Sequence, residues 1–482
     1  MGLTAMSRYD IIDLSTPRFP VRRETVRWDT ECMRLGRVMT IEQDISQHLK
    51  APSAPASGVK DRPAAPPSAT PRVGGLGLRD EIPKIGLMEY WYPVIAEGDV
   101  PSRKAVRRKV LGQDIAFFRG SKGQVTAITN WCPHRNASLE GAKSLFPGTI
   151  SCPYHGLTFD ENGTAVAFLG EGPRSKFCNR PSNAARHYPT RTLKGLVFVW
   201  MGEGDPAPIE EDVPPEFFDE KAQVMFSEQK WKVNWRASLE NLQDAHVYFV
   251  HRTSLEVLMQ DLNGLNLLLH MGPERPATRV VNGRALVFEN PRFFDFVDSN
   301  QQRKTQVSAQ SFRDVYPSLG GATFPKTQFR LYLARAFGFL RRHFRPKADW
   351  LVNDVEWAQG VHMPTMFRLD YQTHIYTRAV TPMDEDNCWI FYYKTMYPKS
   401  GLHKAWNVFN YHVYYDWKQH RNFSGQDKRI VEKINYENPK ERLSSSDAFP
   451  LAWRRMVVEH ARQPQKAPKA TAGGKPDNGT AS

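Results

Sequence analysis

With 482 residues, 40% of them hydrophobic and 12% aromatic, the chain is long enough for two or three domains and needs no disulfide staples to build a core. It contains no run of about 18 apolar residues, which argues against a membrane-spanning helix. The formal charge of +14 bears on association and not on fold, and with no nucleic-acid-binding motif beside it, no nucleic-acid partner is expected.

The N-terminal MGLTAMSRYDIIDLSTPRFPVRRET lacks the charged-then-apolar order of a secretory signal, so a cytoplasmic location is expected. Residues 1–82 read as an extension: a weakly structured arm to about 44, with a short helix over 38–49, then a flexible Pro/Ala/Ser-rich linker that cannot bury enough surface to fold alone. From about 86 to 205 the chain turns into short alternating strands, IAFFRG, QVTAITN, LTFDENG and LVFVWMG, separated by glycine turns, as in a small all-β domain. A helical stretch follows at KVNWRASLENLQDAHVYFVHR, then strand-like RALVFEN, HIYTRAV and NCWIFYYKTMY, and a polar helix from about Asp427 to Tyr436. The fold class is therefore α+β: a small all-β domain, then a larger α+β domain over 206–461 with an antiparallel sheet flanked by helices. Residues 462–482 form a disordered tail, and the basic segment 330–347 reads as an ordinary amphipathic stretch.

Five cysteines, Cys32, Cys132, Cys152, Cys178 and Cys388, are too scattered for a disulfide framework. Two of them sit beside histidine, Cys132 with His134 in C-P-H and Cys152 with His155 in C-P-Y-H. Structural zinc sites usually pair like with like, whereas here each short loop offers one thiolate and one imidazole. A Rieske-type [2Fe–2S] cluster needs two thiolates on one iron and two imidazoles on the other, which two mixed loops can supply. Cys32, Cys178 and Cys388 lack a partner at ligand spacing and are expected to be buried thiols.

CPHRNASLEGA followed by GTISCPYHGLTFDENG resembles the Rieske domain of the aromatic-ring-hydroxylating oxygenases. The resemblance implies a cluster held by Cys132 and Cys152 on one iron and by His134 and His155 on the other. One departure is Leu157, where these oxygenases commonly carry an aromatic residue after His-Gly.

A mononuclear iron that activates oxygen takes two imidazoles and one carboxylate and keeps positions open. The segment NWRASLENLQDAHVYFVHR resembles the catalytic motif of the same family and so implies His246 and His251 as iron ligands. The third ligand lies among Asp384, Asp386, Asp416, Asp427 and Asp447, and spacing does not choose. The C-terminal QDKRIVE and SDAFPLAWRRM segments resemble the family region that holds it, which implies Asp427, with Asp416 the second choice. Asp384 and Asp386 read as solvated turn residues, and the residue-level reading of Asp427 is a charge at a helix N-terminus.

By the same resemblance Asp244 bridges a cluster histidine to an iron histidine of the neighbouring subunit, with Asn241 as an orienting neighbour. The family places two residues between this aspartate and the first histidine; here Ala245 alone separates Asp244 from His246.

What the family implies is an oxygenase component, homotrimeric, that takes electrons from NAD(P)H through a separate ferredoxin and/or flavin reductase. It then uses O2 on a hydrophobic or aromatic small molecule. The C-terminal segments look closer to the monooxygenases and demethylases than to the dihydroxylating dioxygenases, and the apolar stretch 255–272 suits a pocket wall or core. The competing class is a Rieske electron carrier with a non-catalytic binding domain.

Overall fold

The computed structural model describes residues 75–172, 174–243, 246, 250–251, 278–288, 357–371, 374–438, 440–444 and 447–463. The arm and linker to residue 74, Cys32, Asp244, the segments 255–272 and 330–347, and the tail from 464 lie outside the described residues. No helix among the described residues is long and apolar enough to cross a membrane.

The first domain is built from β1 (Trp91–Ala96), β2 (Val106–Val110), β3 (Gln113–Arg119), β4 (Val125–Thr129), β5 (Ile150–Ser151), β6 (Leu157–Phe159), β7 (Ala165–Phe168), β8 (His187–Tyr188), β9 (Thr190–Leu193) and β10 (Leu196–Trp200). They form three antiparallel sheets with strand orders β2-β3-β4-β8, β5-β6-β7 and β1-β10-β9. β10, LVFVW, is buried along its whole length, which suits a β-branched and aromatic run at the centre of its sheet.

The second domain is a seven-stranded antiparallel sheet in the order β11-β17-β16-β15-β14-β13-β12. Its strands are β11 (Gln223–Trp231), β12 (Thr278–Val281), β13 (Ala285–Phe288), β14 (Gly360–His362), β15 (Met366–Tyr371), β16 (His374–Pro382) and β17 (Cys388–Met396). Strand alternation sends Ser227, Gln229 and Trp231 of β11, Tyr376 and Arg378 of β16, and Cys388, Ile390 and Tyr392 of β17 to one face. Trp231, Tyr376, Ile390 and Tyr392 share one core with Tyr92, Ile115 and Phe117 of the first domain, so the two domains are packed through a continuous apolar interior.

Five α-helices frame this sheet among the described residues: α1 (Gly75–Glu81), α2 (Trp235–Glu240), α3 (Gly401–Asn410), α4 (Ser424–Val431) and α5 (Ala448–His460). The sequence reading put Gly75–Glu81 in the extension, but Arg79 is buried and donates to the Tyr436 and Asn438 carbonyls, which ties α1 into the folded unit. A second difference concerns Asp427. Instead of opening a helix, it lies inside a continuous run from Gly401 to Val431, in which Tyr411–Phe423 winds as a π-helix between α3 and α4. Asp384 does sit in a turn, accepting from the Asp386 amide and the Asn387 side chain.

His362 on β14 shows how the core handles a titratable ring. It is buried, stacked on Trp357 with centroids 4.9 Å apart, and its Nε2 lies 2.8 Å from the Ala358 carbonyl. Burial, reinforced by the charge of Arg368, pushes it down to about 3 from an ordinary 6.5. The unfolded chain therefore binds a proton that the folded chain refuses, so this part of the stability is complete above pH 6.5 and is lost as pH falls toward about 3. His362→Gln should flatten the pH dependence of the thermal midpoint across that window, leaving the share that belongs to groups such as His187 and His420, whose rings burial also pushes down. Thermal melts of both proteins at stepped pH check this.

Candidate metal centres

Cys132 and Cys152 head two loops of matching construction. The Asn136 amide donates to the Cys132 carbonyl at 2.8 Å, and the Gly156 amide donates to the Cys152 carbonyl at 3.0 Å. Each closing residue has positive φ, 54° at Asn136 and 72° at Gly156. Both thiols are buried and free, while His134 and His155 sit half-buried toward the surface with ring centroids 4.8 Å apart. Burial pushes the Cys132 thiol up to about 11, with the neighbouring Cys152 adding to the rise and the His134 and Arg135 amides opposing it. Phe168 and Phe177 flank His134 edge-on, and Tyr154 leans on His155 at 3.7 Å. Two inward thiols and two outward imidazoles form the donor set of a Rieske [2Fe–2S] cluster, so these residues fit that group.

The second centre is placed by α2. Asn234 caps this helix by accepting the Arg236 amide at 3.0 Å, and its own amide donates to the carbonyls of Lys84 and Glu385. The buried Arg236 guanidinium reaches the Arg79 and Ile82 carbonyls and pairs with Glu437. Glu240 at the other end receives Arg454 of α5 through two bonds of 2.7 Å, and the Tyr436 hydroxyl at 2.8 Å. The helix stops there, and the chain that follows carries His246 and His251 to Asp427.

His246 Nε2 lies 3.0 Å and His251 Nε2 2.9 Å from the same Asp427 oxygen, Oδ1. Among the described residues these three form the one group of His, Cys, Asp and Glu whose ligand atoms converge, all within 4.8 Å of one another. His251 Nε2 and Asp427 Oδ1 are buried and, beyond this mutual approach, have no hydrogen-bond partner among the described residues. Two imidazole nitrogens crowded on one buried carboxylate oxygen make an arrangement that a bound cation would complete. Burial works to raise the Asp427 carboxyl, but the two imidazoles outweigh it and hold the group below the usual carboxylate range. His251 is further fixed by Gln426, whose Oε1 lies 3.2 Å from its Nδ1, and by Phe423, stacked on it at 3.6 Å. Two imidazoles and one carboxylate form the donor set of a mononuclear non-haem iron site.

The other aspartates stand elsewhere. Asp416 lies 2.9 Å from His420 Nδ1, one of the contacts that hold its carboxyl at about 2 despite burial, and Asp447 is at the start of α5. Asn241 is buried at the end of α2, its amide on the Ala237 carbonyl. Asp244 lies outside the described residues. Sequence reasoning did not find Gln426 or Phe423; the available signal was their placement one and four residues before Asp427 on a helix.

Comparison with known proteins finds matches to both parts of this arrangement. The model of the Rieske [2Fe-2S] domain matches residues 90–177, and that of the homotrimeric ring hydroxylase matches 200–294. Together the two matched stretches hold every candidate ligand except Asp427. It is 30% identical over 243 residues to the terminal oxygenase component of carbazole 1,9a-dioxygenase from a Sphingomonas species, covering 50% of this chain and 57% of that protein. It is 31% identical over 170 residues to the oxygenase component of dicamba O-demethylase from Stenotrophomonas maltophilia, covering 34% of this chain and 48% of that protein. The chain thus spans about half the length of such relatives. In fold it is similar to the terminal oxygenase of carbazole 1,9a-dioxygenase from Novosphingobium sp. KA1, with TM-score 0.59 and 22% identity over 82% of this chain and 98% of that one. A Rieske [2Fe-2S] cluster and a non-haem iron are typical of such oxygenases.

Gly156 gives a test of the first centre. A Cβ there would lie 2.7 Å from the Leu169 Cβ, and its φ of +72° is a conformation that costs other residues about 1–2 kcal/mol. Gly156→Ala should reduce cluster occupancy several-fold, measured as visible absorbance and iron per chain, while the circular dichroism of the folded protein is retained.

Proposed function

We propose that the chain is the oxygenase component of a multicomponent Rieske system. A separate NAD(P)H-dependent flavin reductase, with a ferredoxin where the system has one, supplies electrons for O2-dependent hydroxylation or oxidative demethylation of a hydrophobic or aromatic small molecule. The observation that carries this reading is the convergence of His246, His251 and Asp427 on one point with two buried, unsatisfied ligand atoms. A plain electron carrier has no use for a second site of this kind.

In this reading Cys132, His134, Cys152 and His155 hold the cluster, and His246, His251 and Asp427 hold Fe(II). When bound, the cluster supplies one-electron transfer and the ferrous ion supplies oxygen activation. The protein's own part is orientation. Gln426 accepts the Nδ1 proton of His251 and so keeps the lone pair of Nε2 toward Asp427, and the Phe423 ring covers one imidazole face against water. Asp244 serves as the bridge between centres, and the subunits assemble as a homotrimer, which the homotrimeric description of the matching family model supports.

For the finer reaction type we favour monooxygenation or demethylation. The QDKRIVE and AWRRM segments support it, as do relatives such as dicamba O-demethylase and chloroacetanilide N-alkylformylase. Dihydroxylation is the second reading, because the carbazole dioxygenase components match over a longer stretch.

Purified protein should contain about three irons per chain, two in the cluster and one at the triad. Asp427→Ala should bring this to about two, keep the visible spectrum of the cluster, and abolish oxygen uptake driven by a surrogate reductase. Two irons in the parent protein, or uptake that survives the substitution, would favour the electron-carrier alternative.

A further inference from the structure

The helical run from Gly401 to Val431 is amphipathic in the inverse of the usual sense. Its inner side is polar and tyrosine-rich. Asn407 donates to the Gln223 side chain at 3.0 Å, Gln223 donates in turn to the Lys404 carbonyl, and Lys418, Gln419 and His420 are buried. Tyr411 and Tyr415 pack with Met225 in a small core of their own. Outward go Leu402, Trp406, Phe409, Val413 and Trp417, at 87, 60, 55, 63 and 52% exposure. Their spacing of four, three, four and four residues puts them on one side of the helix, and the wider turn of Tyr411–Phe423 keeps positions i and i+4 in line there. A surface helix ordinarily turns its apolar stripe to the core and its polar residues to water. Here the stripe leaves several hundred Å² of apolar surface open, the scale at which an exposed patch marks an interaction site.

Charge and shape define the occupant. The exposed charged side chains from Lys399 to Arg429 are all basic: Lys399, Lys404, Arg421 and Arg429. Both carboxylates of that span are engaged, Asp416 with His420 and Arg421, and Asp427 at the triad. The stripe is a row on the outside of a single helix, not a groove between elements, and two of its five residues are tryptophans. A protein partner seals its contact through a closely complementary surface with a hydrogen-bonded rim. A bilayer instead yields around an apolar ridge, holds tryptophan at the headgroup level and, where its lipids are anionic, attracts basic side chains.

We infer that this helix docks the protein on an anionic lipid surface: the stripe from Leu402 to Trp417 enters the headgroup region with the helix lying in the plane of the bilayer, and the basic side chains meet the lipid phosphates. The contact is peripheral and spans nothing. Asp427 lies on the same helix ten positions after Trp417, within about 15 Å along its axis. Docking therefore holds the candidate iron centre close to the phase in which apolar molecules collect. That last step rests on the oxygenase reading, whereas the docking itself does not.

Cosedimentation of the full-length holoprotein with vesicles of equal parts phosphatidylglycerol and phosphatidylcholine tests it. Binding should be at least about tenfold tighter than to phosphatidylcholine alone and should weaken as added salt shortens the screening length. Phe409→Glu combined with Val413→Glu should weaken it by at least about tenfold, because two apolar side chains leave the lipid and two negative charges face the headgroups. Both positions are exposed, so the thermal midpoint and iron content of this variant should match the parent. If it does not fold, Trp406→Phe with Trp417→Phe decides: brominated phosphatidylcholine in the vesicles should quench the tryptophan fluorescence of the parent, and the paired substitution should remove most of that quenching. No binding to anionic vesicles, binding that the glutamate pair leaves unchanged, quenching that does not depend on Trp406 and Trp417, or a lower oligomeric mass of the glutamate pair in solution, which would make the stripe a contact between copies, each overturns the inference. With the whole chain in the assay, a stripe covered by another of its segments gives no stripe-dependent binding and overturns it too. Iron content and oxygen uptake of the parent report separately on the oxygenase reading.

Discussion

The two-pronged pair between Glu240 and Arg454 is the contact on which the second domain turns. Glu240 ends α2, and the chain leaving it carries both histidines of the candidate iron site; Arg454 comes from α5, more than two hundred residues later. Tyr436 and Glu441 complete the arrangement, so that each charge is buried with its hydrogen bonds met. Burial alone would raise the Glu240 carboxyl, and it does so, against the opposing pull of Arg454. Removal of either partner would strand a charge in the interior, at a penalty of about 3–5 kcal/mol for pairs of this kind. The position of the iron-site helix is thus set by electrostatics at its C-terminal end and by the Asn234 cap and Arg236 at its start.

These contacts give the motif residues a division of labour that their spacing alone does not reveal. Asn234, Arg236 and Glu240 belong to the stretch that carries the family resemblance, yet they touch carbonyls, a cap and distant charges, not the triad. They hold the frame in which His246 and His251 can meet Asp427. The AWRRM segment has the same character, since Trp453 packs edge-on against Trp235 and Arg454 closes the ion pair.

What could be read from sequence follows how local each feature is. The Rieske-like loops are legible because each holds its thiol, imidazole and turn-closing residue within five positions, and the strands around them are short β-branched and aromatic runs set between glycine turns. Asp427 was not legible from residues alone. Its partners lie 176 and more positions upstream by sequence number, and only the family resemblance selected it from five aspartates. The helix bearing it was misjudged at its start because Tyr411–Phe423 is π-wound. A wider turn scrambles the 3.6-residue periodicity by which a helix is recognised, so YHVYYDWKQHRNF shows no clean apolar stripe even though Tyr411, Tyr415 and His420 are buried. Gln426 and Phe423 were missed for the same reason, as their contact with His251 exists only once that helix is placed.

The interior differs in character from place to place. Around α2 and α5, and beneath β15 at Glu216 and Arg368, buried charges are matched within the chain. On the sheet face that meets the metal-site helices some polar atoms have no partner among the described residues, Arg378 Nε and Nη1 and His420 Nε2 among them. Such atoms also occur at Arg368, Asp212 and Glu228, so an open donor or acceptor does not by itself mark a site. What sets the triad apart is convergence: His246 Nε2 and His251 Nε2 both lie within 3.0 Å of Asp427 Oδ1, and two imidazoles crowded on one buried carboxylate oxygen make a donor set that a bound cation would complete.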